Sequence, residues 1–280
     1  MGGRITLLTD NTCLPGYECE HGLSILVELA GRSILFDTGQ SDMFLRNARR
    51  SGRDLSQVDT LVISHSHYDH SSGVPYLFSG HQELSCYFGP GFFQSKYSLV
   101  DEQYVYKGAP FTENECTEAG WKVIMVSEGE PVLPLYSRED GIYLVSGIPM
   151  EDPFEQIDPR FYIEDADELN IHRDSFEDEL VLVIETGGGL IVILGCSHRG
   201  VVNTLSHIKR MFDKPLYRVI GGAHLESASP ERIEHVAERL KELSIEQLVL
   251  CHCTGQAAQK RFSSAGIHMD YGGAGTELRW

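Results

Sequence analysis

The sequence has no run approaching the roughly 20 consecutive apolar residues that a membrane-spanning helix needs, so no membrane role is expected. Its first residues, Met1-Gly2-Gly3-Arg4 and then Ile5-Thr6-Leu7-Leu8, lack the long apolar region of an export signal. A cytoplasmic protein is therefore expected. Basic charge is scarce too: 23 Lys and Arg stand against 41 Asp and Glu, a formal charge of −18. That balance disfavours a broad polyanion-binding face, and nucleic acid is not an expected partner. The seven cysteines, odd in number and spread from Cys13 to Cys253, read as reduced thiols rather than a disulfide framework. No internal repeat at solenoid spacing is present.

What remains is a globular α/β chain. Its 280 residues, 41% of them hydrophobic, are ample for a large core. Ile5 to Thr9, Leu23 to Leu29 and Ser33 to Phe36 read as strands, followed by a helix over Met43 to Arg53 and a buried strand at Thr60-Leu61-Val62-Ile63. From about 86 to 173 the periodicity is lost and Tyr, Phe, Pro and Gly gather, with strands expected only at Trp121 to Val126 and Gly141 to Val145. We read this stretch as an irregular insertion in a single domain spanning 1–280. Order returns with a hairpin, Glu179 to Glu185 and Leu190 to Leu194, around Gly187-Gly188-Gly189. Strands ending at Gly221 and Leu250 follow, separated by helices; Ser229-Pro230-Glu231 has the N-cap and first-turn proline of a helix start.

Four side chains able to ligate a metal fall within six residues, His65, His67, Asp69 and His70, immediately after the strand at Thr60 to Ile63. Alternate residues leaving a strand point the same way, so His65 and His67 can converge on one ion while Asp69 and His70, a short turn later, face a second. A dinuclear site needs further ligands, and the strand ends at His198, His224 and His252 are the candidates. Two adjacent ions would bring a bridging water toward neutral pKa and clamp both the attacked centre and the leaving oxygen, which suits phosphoester hydrolysis. A solitary histidine is more often a core or surface residue, the reading taken for His81, His172, His207, His235 and His268. Cys196 reads as a soft ligand or an inert buried thiol, and Cys251-His252-Cys253 as the alternative of a separate zinc site lacking a second cysteine pair.

Preceded by Phe36-Asp37-Thr38-Gly39, the segment His65-Ser66-His67-Tyr68-Asp69-His70 resembles the signature of the metallo-β-lactamase superfamily. The runs Glu20 to Ser24, Gly195-Cys196-Ser197-His198, Gly221-Gly222-Ala223-His224 and Cys251 to Gly255 resemble its branch of dihydropterin-methyl-ribofuranosylaminobenzene-phosphate synthase-like metal-dependent hydrolases. The resemblance implies a four-layer αβ/βα sandwich with a metal site at one edge, His65 and His67 on a first metal, and Asp69 and His70 on a second and in catalysis. It also implies Asp37 as a supporting carboxylate, His198 as third histidine of the first metal, and His224 or His252 closing the second. A Gly-Asp usually supplies a bridging carboxylate where this chain has Gly195-Cys196, so one or two divalent ions (zinc, manganese or iron) are expected.

The leading expectation is a phosphoesterase or phosphodiesterase using metal-bound hydroxide on a small phosphorylated compound, with Arg199 and His21 touching the anionic substrate. A second is a dihydropterin-linked synthase forming a C–N bond with release of pyrophosphate. There Tyr87, Phe88, Phe92, Phe93, Tyr97, Tyr104 and Tyr106 would stack on a pterin-like ring, against the plainer reading that they pack the insertion's own core. A third is a metal-binding sensor without catalysis. A homo-oligomer is compatible with all three.

Overall fold

The computed structural model describes residues 2–80, 83–127, 131–165 and 170–280. The chain divides into two compact units: Met1–Ser127 with Asp158–Asp178 and Gly273–Trp280, and Glu128–Ile157 with Glu179–Gly272.

In the first unit, β1 (Gly3–Thr9), β2 (Ser24–Leu29), β3 (Arg32–Phe36), β4 (Thr60–Val62), β5 (Ser85–Phe88), β8 (Lys122–Met125) and β18 (Glu277–Arg279) form one mixed sheet, in the order β18-β1-β2-β3-β4-β5-β8. Pairing is antiparallel from β18 to β3 and parallel from β3 to β8. A second, four-stranded sheet has the order β12-β11-β6-β7, from β6 (Lys96–Val100), β7 (Gln103–Tyr106), β11 (Phe161–Glu164) and β12 (Ile171–Arg173). Helix α1 (Met43–Arg50) presents Phe44 and Ala48 to the large sheet, where they meet Leu8, Leu26, Leu35 and Leu61. Burial of each such aliphatic or aromatic side chain contributes about 1.5–3 kcal/mol. The helix stops three residues earlier than its polar sequence implied, because Gly52 turns the chain at φ +67°. The short α2 (Tyr68–Ser71) follows β4, and α3 (Glu113–Glu118) opens with a reciprocal Thr112–Glu115 capping box.

In the second unit, β9 (Val132–Pro134), β10 (Ile142–Val145), β13 (Val181–Thr186), β14 (Gly189–Ile193), β15 (Leu216–Gly221), β16 (Gln247–Leu250) and β17 (Met269–Tyr271) form a mixed sheet in the order β17-β16-β15-β14-β13-β10-β9. It is antiparallel from β9 to β14 and parallel from β14 to β17. Helices α4 (Val201–Phe212), α5 (Pro230–Leu243) and α6 (Gln256–Ser264) supply Leu205, Ile208, Val236, Leu240 and Phe262 to a core shared with Val183, Val192, Val219 and Leu248. Ser229 caps α5 by accepting from the Arg232 amide. Among the described residues no helix is long and apolar enough to cross a membrane.

The stretch 86–173, expected as an irregular insertion, is distributed over all three sheets. Most of β5 and the whole of β8 extend the first sheet, β9 and β10 the second, and β6, β7, β11 and β12 build the small one. Strands of three to five residues show too few alternations for periodicity to register. Phe88, Phe92 and Phe111 are buried in the first unit's main core with Phe93 packed against it, so these rings do not pack a private core.

Candidate metal centres at the strand ends

In the first unit the chain leaves β4 through Ser64 and turns into α2 with His67 as N-cap. The resulting loop holds the four expected residues together and out of water. His65 and His70 are fully buried, and His67 and Asp69 are 5% and 7% exposed. The His65 ring centroid lies 4.7 Å from that of His67 and 4.3 Å from that of His70. Oδ2 of Asp69 is 3.9 Å from Nε2 of His70 and 3.1 Å from Nε2 of the half-exposed His21. Gly22 makes that approach feasible, because at φ +156° its absent Cβ would sit 2.6 Å from the Asp69 carbonyl oxygen. Burial, then repulsion from His70, His67 and Lys96, pushes the His65 pKa well below its ordinary value. Its imidazole is thereby neutral, the form that ligates metals.

Two buried carboxylates fix the loop. Asp37, at the end of β3, accepts from the Ser64 amide (2.7 Å), the Ser64 hydroxyl (2.8 Å) and Nδ1 of His70 (2.6 Å). A carboxylate only accepts, so the His70 proton resides on Nδ1 and the ligating lone pair on Nε2, the carboxylate–histidine arrangement that metal sites employ. Asp178 accepts from the Ser66 amide (2.9 Å) and is itself held by the buried Lys96 ammonium (2.6 Å), which also reaches Asp174 at 2.9 Å. Burial alone would lower the Lys96 pKa, but its two carboxylates outweigh burial and raise it. The ammonium lies 4.4 Å from the centroid of Phe176, whose ring stands edge-on to His67 at 5.3 Å. Three imidazoles and one carboxylate, dry and oriented from behind, are a donor set that fits a divalent transition ion.

The second unit gathers its donors at the ends of three parallel strands. Past β14 the chain reaches Cys196 and His198, past β15 His224, and past β16 His252 and Cys253. Glu179, buried just ahead of β13, accepts from the His198 amide (2.6 Å) and the Arg199 amide (3.1 Å). The rings of His198 and His224 are 4.2 Å apart. Ligand atoms of Cys196, His224 and Cys253 all lie within 4.8 Å of one another. Burial would raise the Cys253 pKa, but hydrogen bonds with Cys196 and His224 and the charge of nearby histidines bring it well below its ordinary value.

A profile described as the metallo-beta-lactamase superfamily matches residues 17–207. The chain belongs to the metallo-β-lactamase superfamily. A solved metal-dependent hydrolase of the β-lactamase superfamily is 35% identical and superposes with a TM-score of 0.85, over 99% of this chain and 98% of that one. The 7,8-dihydropterin-6-methyl-4-(β-D-ribofuranosyl)-aminobenzene-5'-phosphate synthase of Methanocaldococcus jannaschii is 28% identical over 254 residues, 87% of this chain and 84% of its own. Zn2+-bound PqqB from Methylobacterium extorquens, 14% identical with a TM-score of 0.59 over 98% of this chain and 99% of that one, shares the fold. That metallo-β-lactamase fold, two mixed sheets flanked by helices, is the α/β architecture expected from the His65 to His70 signature.

Within this superfamily member the remaining expected residues are accounted for individually. Arg199 is anchored through Nε to the Ile148 carbonyl at 2.6 Å. His172, His235 and His268 bond to Asp165, Asp152 and the Glu246 carbonyl, whereas His81 lies outside the described residues. Tyr97, Tyr104, Tyr106 and Tyr162 pack edge to face on the small sheet, with Tyr104 and Tyr106 exposed. The sequence reading missed Lys96, Asp174, Asp178 and Glu179. For the three acids the run Asp174 to Glu179 is the only local trace, and it reads as solvated surface.

Proposed function

We propose that the protein is a metal-dependent hydrolase acting on a small phosphorylated compound, most simply as a phosphodiesterase. The observation that carries the reading is the buried His65–His67–Asp69–His70 cluster with Asp37 2.6 Å from Nδ1 of His70. The proposed ligands are these four in the first unit and, in the second unit, His198 with His224 or His252; the expected ions are zinc, manganese or iron, one or two per chain. A bound divalent ion supplies Lewis acidity toward a phosphoryl oxygen and lowers the pKa of water. The chain's own residues orient and exclude water. Asp37 sets the His70 tautomer, Asp178 ties the Ser66 amide, and the Phe161 and Phe176 rings wall His67 at 4.9 and 5.3 Å. His21, held by Asp69 at 3.1 Å and half exposed, is the proposed substrate contact.

The test is turnover of a chromogenic phosphodiester before and after chelation. We expect loss on chelation, recovery with added zinc or manganese, and a large loss in His67→Ala. Unchanged turnover in His67→Ala would refute the assignment. The 28% identity to a synthase across most of both chains favours, as a second reading, C–N bond formation on a dihydropterin. Quenching of pterin fluorescence by the protein, without phosphodiester turnover, would select it.

A further inference from the structure

The second unit contains a donor set of different character from the imidazole cluster of the first. Sγ of Cys196, a ring nitrogen of His224 and Sγ of Cys253 lie within 4.8 Å of one another, and the two cysteines are 3% and 7% exposed. Tetrahedral zinc, with Zn–S about 2.3 Å and Zn–N about 2.0–2.1 Å, spaces its ligand atoms about 3.4–3.8 Å apart. The farthest pair therefore has to close by little more than about 1 Å, which side-chain rotation supplies.

The backbone holds this arrangement at three adjacent strand ends. The Gly222 amide donates to Gly195 O at 2.8 Å and the Cys251 amide to Gly221 O at 3.0 Å, tying the ends of β14, β15 and β16 in register. A Cβ on residue 222 would lie 2.6 Å from the Cys253 sulfur, so glycine there leaves room for the thiol. Cys253 Sγ in turn sits 3.6 Å from the Cys196 carbonyl oxygen. His224 takes a left-handed φ of 44°, a region in which histidine is enriched among non-glycine residues, and this turn carries its ring past the end of β15.

We propose that Cys196, His224 and Cys253 form a sulfur-rich site for one soft divalent cation, zinc foremost. Two S–metal bonds and one N–metal bond form, each thiol releases its proton to solvent, and no electron is transferred. A fourth position is left for water or another donor. The proposal goes beyond the hydrolase reading, since it separates His224 from His252, and it stands or falls independently of phosphodiester turnover.

The experiment is anaerobic titration of the metal-stripped, reduced protein with cobalt(II). Thiolate-to-cobalt charge transfer in the near ultraviolet is expected; it halves in Cys196→Ser and in Cys253→Ser, disappears in the double variant, and persists in Cys251→Ser. Cobalt on imidazole and carboxylate alone gives no such band, so failure here is distinguishable from failure of the hydrolase reading. Should the serine variants not fold, zinc-edge X-ray absorption of the unaltered protein decides, with a sulfur shell at about 2.3 Å expected. A spectrum with only nitrogen and oxygen neighbours would overturn the proposal. So would a band unaffected by either serine, or a Cys196–Cys253 disulfide in the protein as isolated.

Discussion

Replacing Asp37 by asparagine isolates the orienting role of its carboxylate from its structural one. Asp37 sits at φ +60°, a region asparagine occupies as readily as aspartate, so the backbone is not disturbed. The amide oxygen can still accept from the Ser64 amide, now at 2.7 Å, while the amide nitrogen has two hydrogens to direct at the Ser64 hydroxyl and at His70 Nδ1. Every hydrogen bond survives, but those to the Ser64 hydroxyl and to His70 both reverse. The His70 proton moves to Nε2, the nitrogen whose lone pair a metal would use. Loss of such an orienting partner costs 10–100-fold in metal affinity, about 1.4–2.8 kcal/mol at about 1.4 kcal/mol per tenfold. Folding stability should fall by only about 1–2 kcal/mol, because charge-assisted bonds are exchanged for neutral ones. Metal affinity is read by competition with a chromogenic chelator, the tautomer by long-range nitrogen-15 NMR of the imidazoles, and stability by urea unfolding. Affinity within threefold of the parent, with Nδ1 still protonated, would refute the reasoning.

Three further outcomes follow from other parts of the molecule. Lys96→Met leaves Asp174 and Asp178 buried without their cation, and should cost about 3–5 kcal/mol in urea unfolding; a loss below about 1 kcal/mol contradicts the triad's role. Gly222→Ala drives a methyl to 2.6 Å from the Cys253 sulfur and 2.7 Å from the Gly195 carbonyl oxygen, for an expected overpacking cost of about 1–3 kcal/mol by thermal unfolding. Burial, only partly offset by Arg232, pushes Glu155 up to about 6 from 4.5. Between these values the folded chain retains a proton that the unfolded chain has released, so stability declines as pH rises through that window, by about 2 kcal/mol at most. In Glu155→Gln this part of the slope of stability against pH should vanish, and an unchanged slope would be contrary evidence.

The parts of the molecule that were legible in the sequence are those whose cause is local. Val181–Thr186 and Gly189–Ile193 are apolar runs on either side of a glycine turn, α5 announces itself by Ser229 and Pro230, and four ligand side chains in six residues need no partner elsewhere in the chain to be recognised. Lys96 shows the opposite case. It lies 82 residues from Asp178, on a strand where a lysine ordinarily faces water, and only the folded first unit reveals that it is 1% exposed between two acids. Glu179 fails to register for a related reason: it reads as the polar start of a strand, while its function is to accept the amides of His198 and Arg199 some 20 residues on. Strands β17 and β18, three residues each, exist because neighbouring strands offer unpaired edges, and nothing within them could have shown it.

The two large sheets follow one rule of construction. Along each, β1-β2-β3-β4-β5-β8 in the first unit and β10-β13-β14-β15-β16-β17 in the second, two antiparallel pairings are followed by three parallel ones. In both, donors or their supporting carboxylates appear where the parallel strands end. A strand with period two would send such side chains to a sheet face, into the core or under a helix. The chain avoids this by breaking the strand conformation: Asp37, Ser197, His224 and His252 all take left-handed φ values between 44° and 60°. Each costs on the order of 1–3 kcal/mol, a large share of the 5–15 kcal/mol by which a domain is stable, so the turns persist because the surrounding hydrogen bonds impose them. Aspartate and histidine are among the few non-glycine residues enriched in that region of backbone space. The residue types that bind or orient a metal are thus also those that tolerate the turn which places them, and one choice of side chain satisfies both demands.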